Sequence, residues 1–175
     1  MKNTGIIRRI DDLGRIVIPK EIRNNLKIRE GEKLEIFLEE EKIILSKYSS
    51  MKSIDKIAKI CVDALCEVIN INILITDRDK IIAASPNLRK KYLDKELDIR
   101  FSEKLLNFNT IIEKEAKLLK IITDFEEETS YISIPILIDG DIIGNVIILN
   151  FKDKINETDE LLGKIISKFL IRNIF

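Results

Sequence analysis

Apolar and polar positions change rhythm along the 175 residues, and the changes divide the chain into two parts. Ile6, Ile7 and Ile10, then Ile16, Val17 and Ile18, form two short β-branched runs around the turn-formers Asp11, Asp12 and Gly14. Pro19 suits the first position of a helix, and Glu21 puts an acid in its first turn. In that short helix Ile22 and Leu26 share one face, while Lys20, Arg23 and Lys27 form the opposite stripe. Residues 33–38 and 42–45 then read as a hairpin around Glu39, Glu40 and Glu41. Residues 46–50 are a polar break, and Ser53 is placed to cap a second helix.

The second part opens with a helical period over residues 54–69, carried by Ile57, Ala58, Cys61, Leu65, Val68 and Ile69. Strands are expected at 72–76 and 80–84, and two stronger ones at 131–138 and 142–151 around Asp139-Gly140-Asp141. Pro135 argues for an edge or a bulge, and Gly144 for a bulge. Residues 85–130 are mixed, with helical character near 101–108 and a strand at 118–122. Leu161, Leu162, Ile165, Ile166, Phe169 and Leu170 predict a closing helix. Helix, strands and helix make an α+β domain with an antiparallel sheet. The expected division is 1–50 and 51–175.

Size changes the picture of the first part. Fifty residues bury too small a fraction of their surface to be comfortably stable alone, and no disulfide or metal staple is in sight. Sharing strands between two chains supplies the missing core, so a homodimer is expected.

Net charge is zero, with 30 basic and 30 acidic residues, but its distribution is uneven. Residues 1–29 hold eight basic against three acidic side chains; residues 30–50 hold three against six. Such a dipolar module can present one side to a polyanion. The chain has no histidine, which removes Ser-His-Asp and Cys-His nucleophile systems, HExxH sites and Cys₂His₂ fingers. Cys61 and Cys66, five apart, fit neither CxxC chemistry nor zinc. Asp77, Asp79, Asp139 and Asp141 read as turn-formers, because no calcium loop ends in a glutamate behind them. Asp11 and Asp12 read likewise, as acids that tie down the first hairpin loop. No metal and no cofactor is expected. With neither a signal peptide nor a long apolar run in view, a cytoplasmic protein away from membranes is expected.

The run T-G-I-I-R-R-I-D-D-L-G-R-I-V-I-P-K-E-I-R, Thr4 to Arg23, continues through E-K-L-E-I-F and K-I-I-L-S-K-Y to Tyr48. It resembles the AbrB-type swapped-hairpin DNA-binding domain. With I-T-D-R-D-K-I-I-A-A-S and S-I-P-I-L-I-D-G-D-I-I-G-N-V, which look like PAS or GAF hairpins, the chain is similar to AbrB/SpoVT-type sporulation regulators carrying a GAF domain. The resemblance implies a mainly-β interleaved swapped-hairpin dimer followed by a GAF-like antiparallel sheet with flanking helices. It implies a DNA-binding regulator of sporulation genes, activator or repressor, and no enzyme. The family's DNA-contacting arginines fall on Arg8, Arg15 and Arg23, with Arg9 beside them. Lys20 lies in the same basic stripe. Asn24 stands where AbrB has a further arginine.

Arginine forks can bond phosphates or the O6/N7 edge of guanine. The partner expected is therefore double-stranded DNA. The apolar excess of both long helices, including Ile171, Ile174 and Phe175, points to a homotetramer through the C-terminal half. A GAF-like sheet typically holds a small-molecule effector, with Ile73, Ile75, Ile134, Ile136 and Ile147 lining its space and Arg89, Lys90 or Arg100 fixing an anion; the favoured alternative is a filled core in a domain that only sets oligomeric state. Two competing readings are a swapped-hairpin antitoxin and a cysteine-based GAF-type reductase. A folded C-terminal half argues against the first, and helical cysteines against the second.

Overall fold

The computed structural model describes residues 5–47 and 55–173. Its chain separates into two units, Met1–Tyr48 and Ser49–Phe175.

In the first unit, residues 5–10 and 15–19 form neither helix nor strand among the described residues. The expected strands therefore do not pair within one chain. The turn between them does form: Gly14 N–H donates to the Asp11 carbonyl at 3.0 Å, and Asp11 N–H to the Arg15 carbonyl at 3.0 Å. Helix α1 (Lys20–Asn25) comes next, with Pro19 at its N-cap rather than inside it. It closes in a Schellman turn, in which Lys27 N–H donates to Asn24 and Ile28 N–H to Arg23. That turn requires a left-handed residue, and Lys27 takes the role with φ of 53°. Strands β1 (Leu34–Glu39) and β2 (Lys42–Lys47) pair as an antiparallel hairpin from Leu34↔Lys47 to Glu39↔Lys42, a two-residue turn at Glu40-Glu41. No residue of this unit is buried among those described. Ile7 is 88% and Val17 73% exposed, and Ile36, Leu38 and Ile43 are also open to solvent.

The second unit runs α2 (Asp55–Val68), β3 (Asn72–Thr76), β4 (Ile81–Ala84), α3 (Arg89–Tyr92), α4 (Ile99–Leu105), β5 (Ile111–Ile122), β6 (Phe125–Ile138), β7 (Asp141–Asn150), α5 (Glu157–Arg172). Its five strands lie in the order β4-β3-β7-β6-β5, each pair antiparallel. Period-two alternation separates the two faces. Ile73, Ile75, Ile132, Ile134, Ile136, Val146 and Ile148 pack against α2 and α5, with Ala58, Val62, Ile166 and Leu170. Leu74, Tyr131, Ile147 and Leu149 face the other way, onto Leu88, Tyr92, Phe101 and Leu105 of the α3–α4 segment. Tyr131 and Phe101 meet edge-on with centroids 5.7 Å apart.

Pro135 lies two residues past the last β6 pairing with β5, at Ser133, and beside the register shift at Ile136/Leu137, so its missing donor leaves the sheet intact. Strand β5 is longer than expected and β6 starts earlier; the added stretches are rich in charge, with Glu113, Lys114, Glu115 and Lys117 on β5 and Glu126, Glu127 and Glu128 on β6. Helix α4 is capped by Asp98, whose carboxylate accepts the Arg100 N–H. Helix α5 begins with a capping box between Asn156 and Asp159.

Two helix assignments need correction. Val68 is 83% exposed and leaves the α2 core stripe, where Val62 serves instead. Ile171 packs against the core and is no surplus apolar surface, whereas Ile174 and Phe175 lie outside the described residues, as does Ser53. The broad stripe of α5 divides in two: Leu162, Ile166 and Leu170 face the sheet, while Leu161, Ile165 and Phe169 are exposed.

Candidate nucleic-acid interface

The basic side chains of the first unit are held on short backbone segments. Arg8 and Arg9 stand exposed on the stretch before the turn, and Arg8 Nη1 donates to the Ile7 carbonyl at 3.3 Å. Arg15 sits just after the turn. Lys20 and Asn24 are exposed on α1, and Arg23 on the same helix is half-buried with its Nε hidden from solvent and unpartnered. That geometry leaves the arginine a donor whose desolvation is uncompensated within one chain.

The turn itself is more structured than its sequence announces. Asp11 Oδ1 accepts from Arg15 N–H at 2.7 Å and Leu13 N–H at 3.1 Å, and Oδ2 accepts from Arg15 Nε at 2.8 Å. The Arg15 backbone N–H first, and its guanidinium second, hold the Asp11 carboxyl below the usual carboxylate range. Asp11 thus ties down the loop as expected. That it also anchors a basic side chain was missed, although an aspartate four residues before an arginine, spanning a glycine turn, is a readable signal.

In the second unit the expected effector-lining residues do not share one space. Ile73, Ile75, Ile134 and Ile136 are buried toward the long helices, and Ile147 toward the opposite face. Arg89 is paired with Asp63, and Lys90 is exposed. Arg100 does line a groove of about 470 Å³ with Asp98, Phe101, Lys104, Leu119, Lys120 and Glu126. Phe101 of this groove meets the buried Tyr131, whose ionisation burial pushes up against the lowering effect of nearby Lys104.

Cys61 and Cys66 are free and half-buried; burial pushes the Cys61 thiol up, away from the reactive thiolate. Asp77 Oδ1 accepts from the N–H groups of Asp79 and Lys80 at 2.8 and 2.7 Å, a turn role as read. No cluster of metal-ligating side chains occurs among the described residues. No helix among them is long and apolar enough to cross a membrane.

On the outer side of α5, Ile165 and Phe169 line a shallow groove of about 440 Å³ with Lys164, Lys168, Arg172 and Asn173. Charge is segregated along this helix, with Glu157, Asp159 and Glu160 in the first turn and Lys164, Lys168 and Arg172 beyond.

Comparison with known proteins matches both units. The family described as stage V sporulation protein T C-terminal, transcription factor, covers residues 53–174. The antidote-toxin recognition family MazE, bacterial antitoxin, covers residues 7–53. Stage V sporulation protein T of Bacillus subtilis is 39% identical over 176 residues, spanning 99% of this chain and 99% of that protein. The transition state regulatory protein AbrB of the same organism is 58% identical over 48 residues, 27% of this chain and 50% of its own. Among solved structures, the GAF domain of the nutrient sensor CodY from Clostridium difficile aligns with 67% of this chain and 83% of its own. Its TM-score is 0.51 at 14% identity, a likeness of fold. With the second unit matched almost throughout and a full-length relative at this identity, the chain belongs to the stage V sporulation protein T family of transcription factors.

Proposed function

We propose that two copies of this chain interleave their first units and grip double-stranded DNA with Arg8, Arg9, Arg15, Lys20, Arg23 and Asn24. In doing so they regulate sporulation genes. One observation carries the reading. The first unit combines exposed apolar residues that find no strand partner among the described residues with a run of exposed basic side chains ahead of and along α1. A second copy buries the former and doubles the latter. The 58% identity to AbrB over this unit supports it.

Two such dimers join through α5. Leu161, Ile165 and Phe169 recur every four residues on the exposed face, 59, 55 and 44% open. Antiparallel pairing of two α5 helices brings the acidic first turn of each against Lys168 and Arg172 of the other. The C-terminal half acts as an assembly module. Its sheet is filled on both faces, which leaves the charged groove beside α4 as the entry for any effector.

Full-length protein titrated into labelled duplex DNA tests the reading, with Arg8→Ala, Arg15→Ala and Arg23→Ala as variants. Unchanged affinity and salt dependence in all three overturns it. The antitoxin reading, favoured by the MazE-type match over residues 7–53, predicts instead a stable complex with a partner toxin.

A further inference from the structure

We infer that Asp11 is a positioning residue that makes Arg15 a reader of a base edge, so that the pair sets sequence preference. This rests on the first unit being the DNA-binding half.

Asp11 is fixed by the loop backbone before its second oxygen meets the Arg15 side chain. Its Oδ1 takes two backbone N–H groups of the loop, and its backbone N–H and carbonyl close that loop onto Arg15 and Gly14. Gly14 holds the turn at φ of 76°, where a side chain is disfavoured. The remaining oxygen, Oδ2, holds Arg15 through Nε at 2.8 Å. With Nε engaged, the two terminal nitrogens form the free end of a side chain that is 72% exposed. An arginine anchored in this way has already lost part of its rotamer freedom, so less is lost when it docks.

Charge decides what it docks on. The pair sums to zero, and a phosphate approaching the guanidinium also meets the Asp11 carboxylate. The O6/N7 edge of guanine carries no net charge and accepts two parallel N–H groups from an arginine fork. An ionised neighbour therefore disfavours backbone contact and favours a base. Arg8 and Arg9, on the other arm of the turn, remain suited to phosphates.

The experiment uses the full chain and two probes: a duplex recovered by in vitro selection with the wild-type protein, and a random-sequence duplex. Asp11→Asn keeps an oxygen for the loop but turns an amide N–H₂ toward Arg15 Nε. Binding to the selected duplex should weaken about tenfold, within the range of one bidentate base contact. Binding to the random duplex should hold or tighten, since an acid is gone. Arg15→Lys leaves the loop acid untouched. Its ratio of selected-duplex to random-duplex affinity should fall, since the planar fork is gone. In an Arg15→Ala background, Asp11→Asn should add no further loss.

An unchanged discrimination ratio in Asp11→Asn or Arg15→Lys overturns the inference alone. So does an equal Asp11→Asn loss in the Arg15→Ala background, which assigns Asp11 to loop stability. If Arg15→Ala binds both duplexes like wild type, the DNA-contact reading of Arg15 falls first and the pair falls with it.

Discussion

Gly144 faces the carbonyl oxygen of Thr76 so closely that a Cβ at position 144 would stand 2.0 Å from it. Strands β3 and β7 pair as far as Thr76↔Asn145, and the chain at Gly144 slides past the end of β3 at the register shift opposite Ile136/Leu137. A backbone oxygen cannot rotate aside as a side chain can. Gly144→Ala should therefore destabilise the second unit by about 3 kcal/mol, the upper range for overpacking. Thermal unfolding followed by circular dichroism measures it; a melting temperature within a degree of wild type would refute the tight approach.

The Schellman turn after α1 predicts a change in the opposite direction. Lys27 occupies a left-handed position, φ 53°, that costs an L-residue with a Cβ. Lys27→Gly should stabilise the first unit by about 0.5–1 kcal/mol. Chemical denaturation of the full chain checks it, through the transition assigned to that unit.

Asn24 tests the interface by gain. It is exposed on α1 beside Arg23, so an arginine there meets no packing obstacle. Asn24→Arg should tighten DNA binding and steepen the dependence of log affinity on log salt by about one unit, while Arg8→Ala flattens it by about one. Fluorescence anisotropy between low and physiological salt reads both slopes.

Assembly is separable from folding. Because Ile165 and Phe169 are exposed in one chain, Ile165→Glu with Phe169→Glu should leave the circular dichroism spectrum unchanged and halve the mass of the full-length oligomer. Light scattering at micromolar concentration distinguishes tetramer from dimer. A tetramer that survives both changes removes α5 from the interface.

Asp77 offers a pH signature. Burial, the largest cause, pushes its carboxyl up, against the two backbone N–H groups that bring it down. A carboxyl raised on folding binds more protons in the folded than in the unfolded state just above the ordinary aspartate range. Stability is thus lost as pH rises through that interval. Asp77→Asn retains the oxygen that accepts from Asp79 and Lys80, and should flatten this loss without lowering stability at neutral pH. Melting curves from pH 3 to 7 decide it.

Legibility from the residues alone depended on how each segment is buried. Asn72–Thr76 and the strong β6–β7 pair announce themselves because both sheet faces are covered, and Ile, Val and Leu run through them. The added stretches of β5 and β6, with Glu113, Lys114, Glu115 and Glu126 to Glu128, show no clean apolar alternation because most of these charged side chains face solvent. Residues 5–10 and 15–18 read as strands from β-branched composition, yet composition cannot say which chain supplies the partner. Arg8, Arg9 and Lys20 were legible as charge. The Asp11 grip on Arg15 was not, since a turn acid and a basic contact look independent until the loop brings them within 2.8 Å. The effector-lining isoleucines misled for a different reason: apolar type marks burial, and only alternation marks which face.

Strand β5 has one further consequence. It closes the sheet at the β6 side; Leu97 and Asp98 cover its end at Ile121 and Ile122, and no further strand pairs with the rest of its outer edge among the described residues. Glu113, Lys114, Glu115, Lys117 and Lys120 punctuate that edge, and the irregular register between Glu113 and Lys117 breaks its line. A flat apolar edge of this length would template endless strand addition, the route to fibrils. Here each incoming strand would have to strip water from several charges and match a bulged ladder. Strand addition at the β5 edge is thereby disfavoured, whatever other surface brings copies of this protein together.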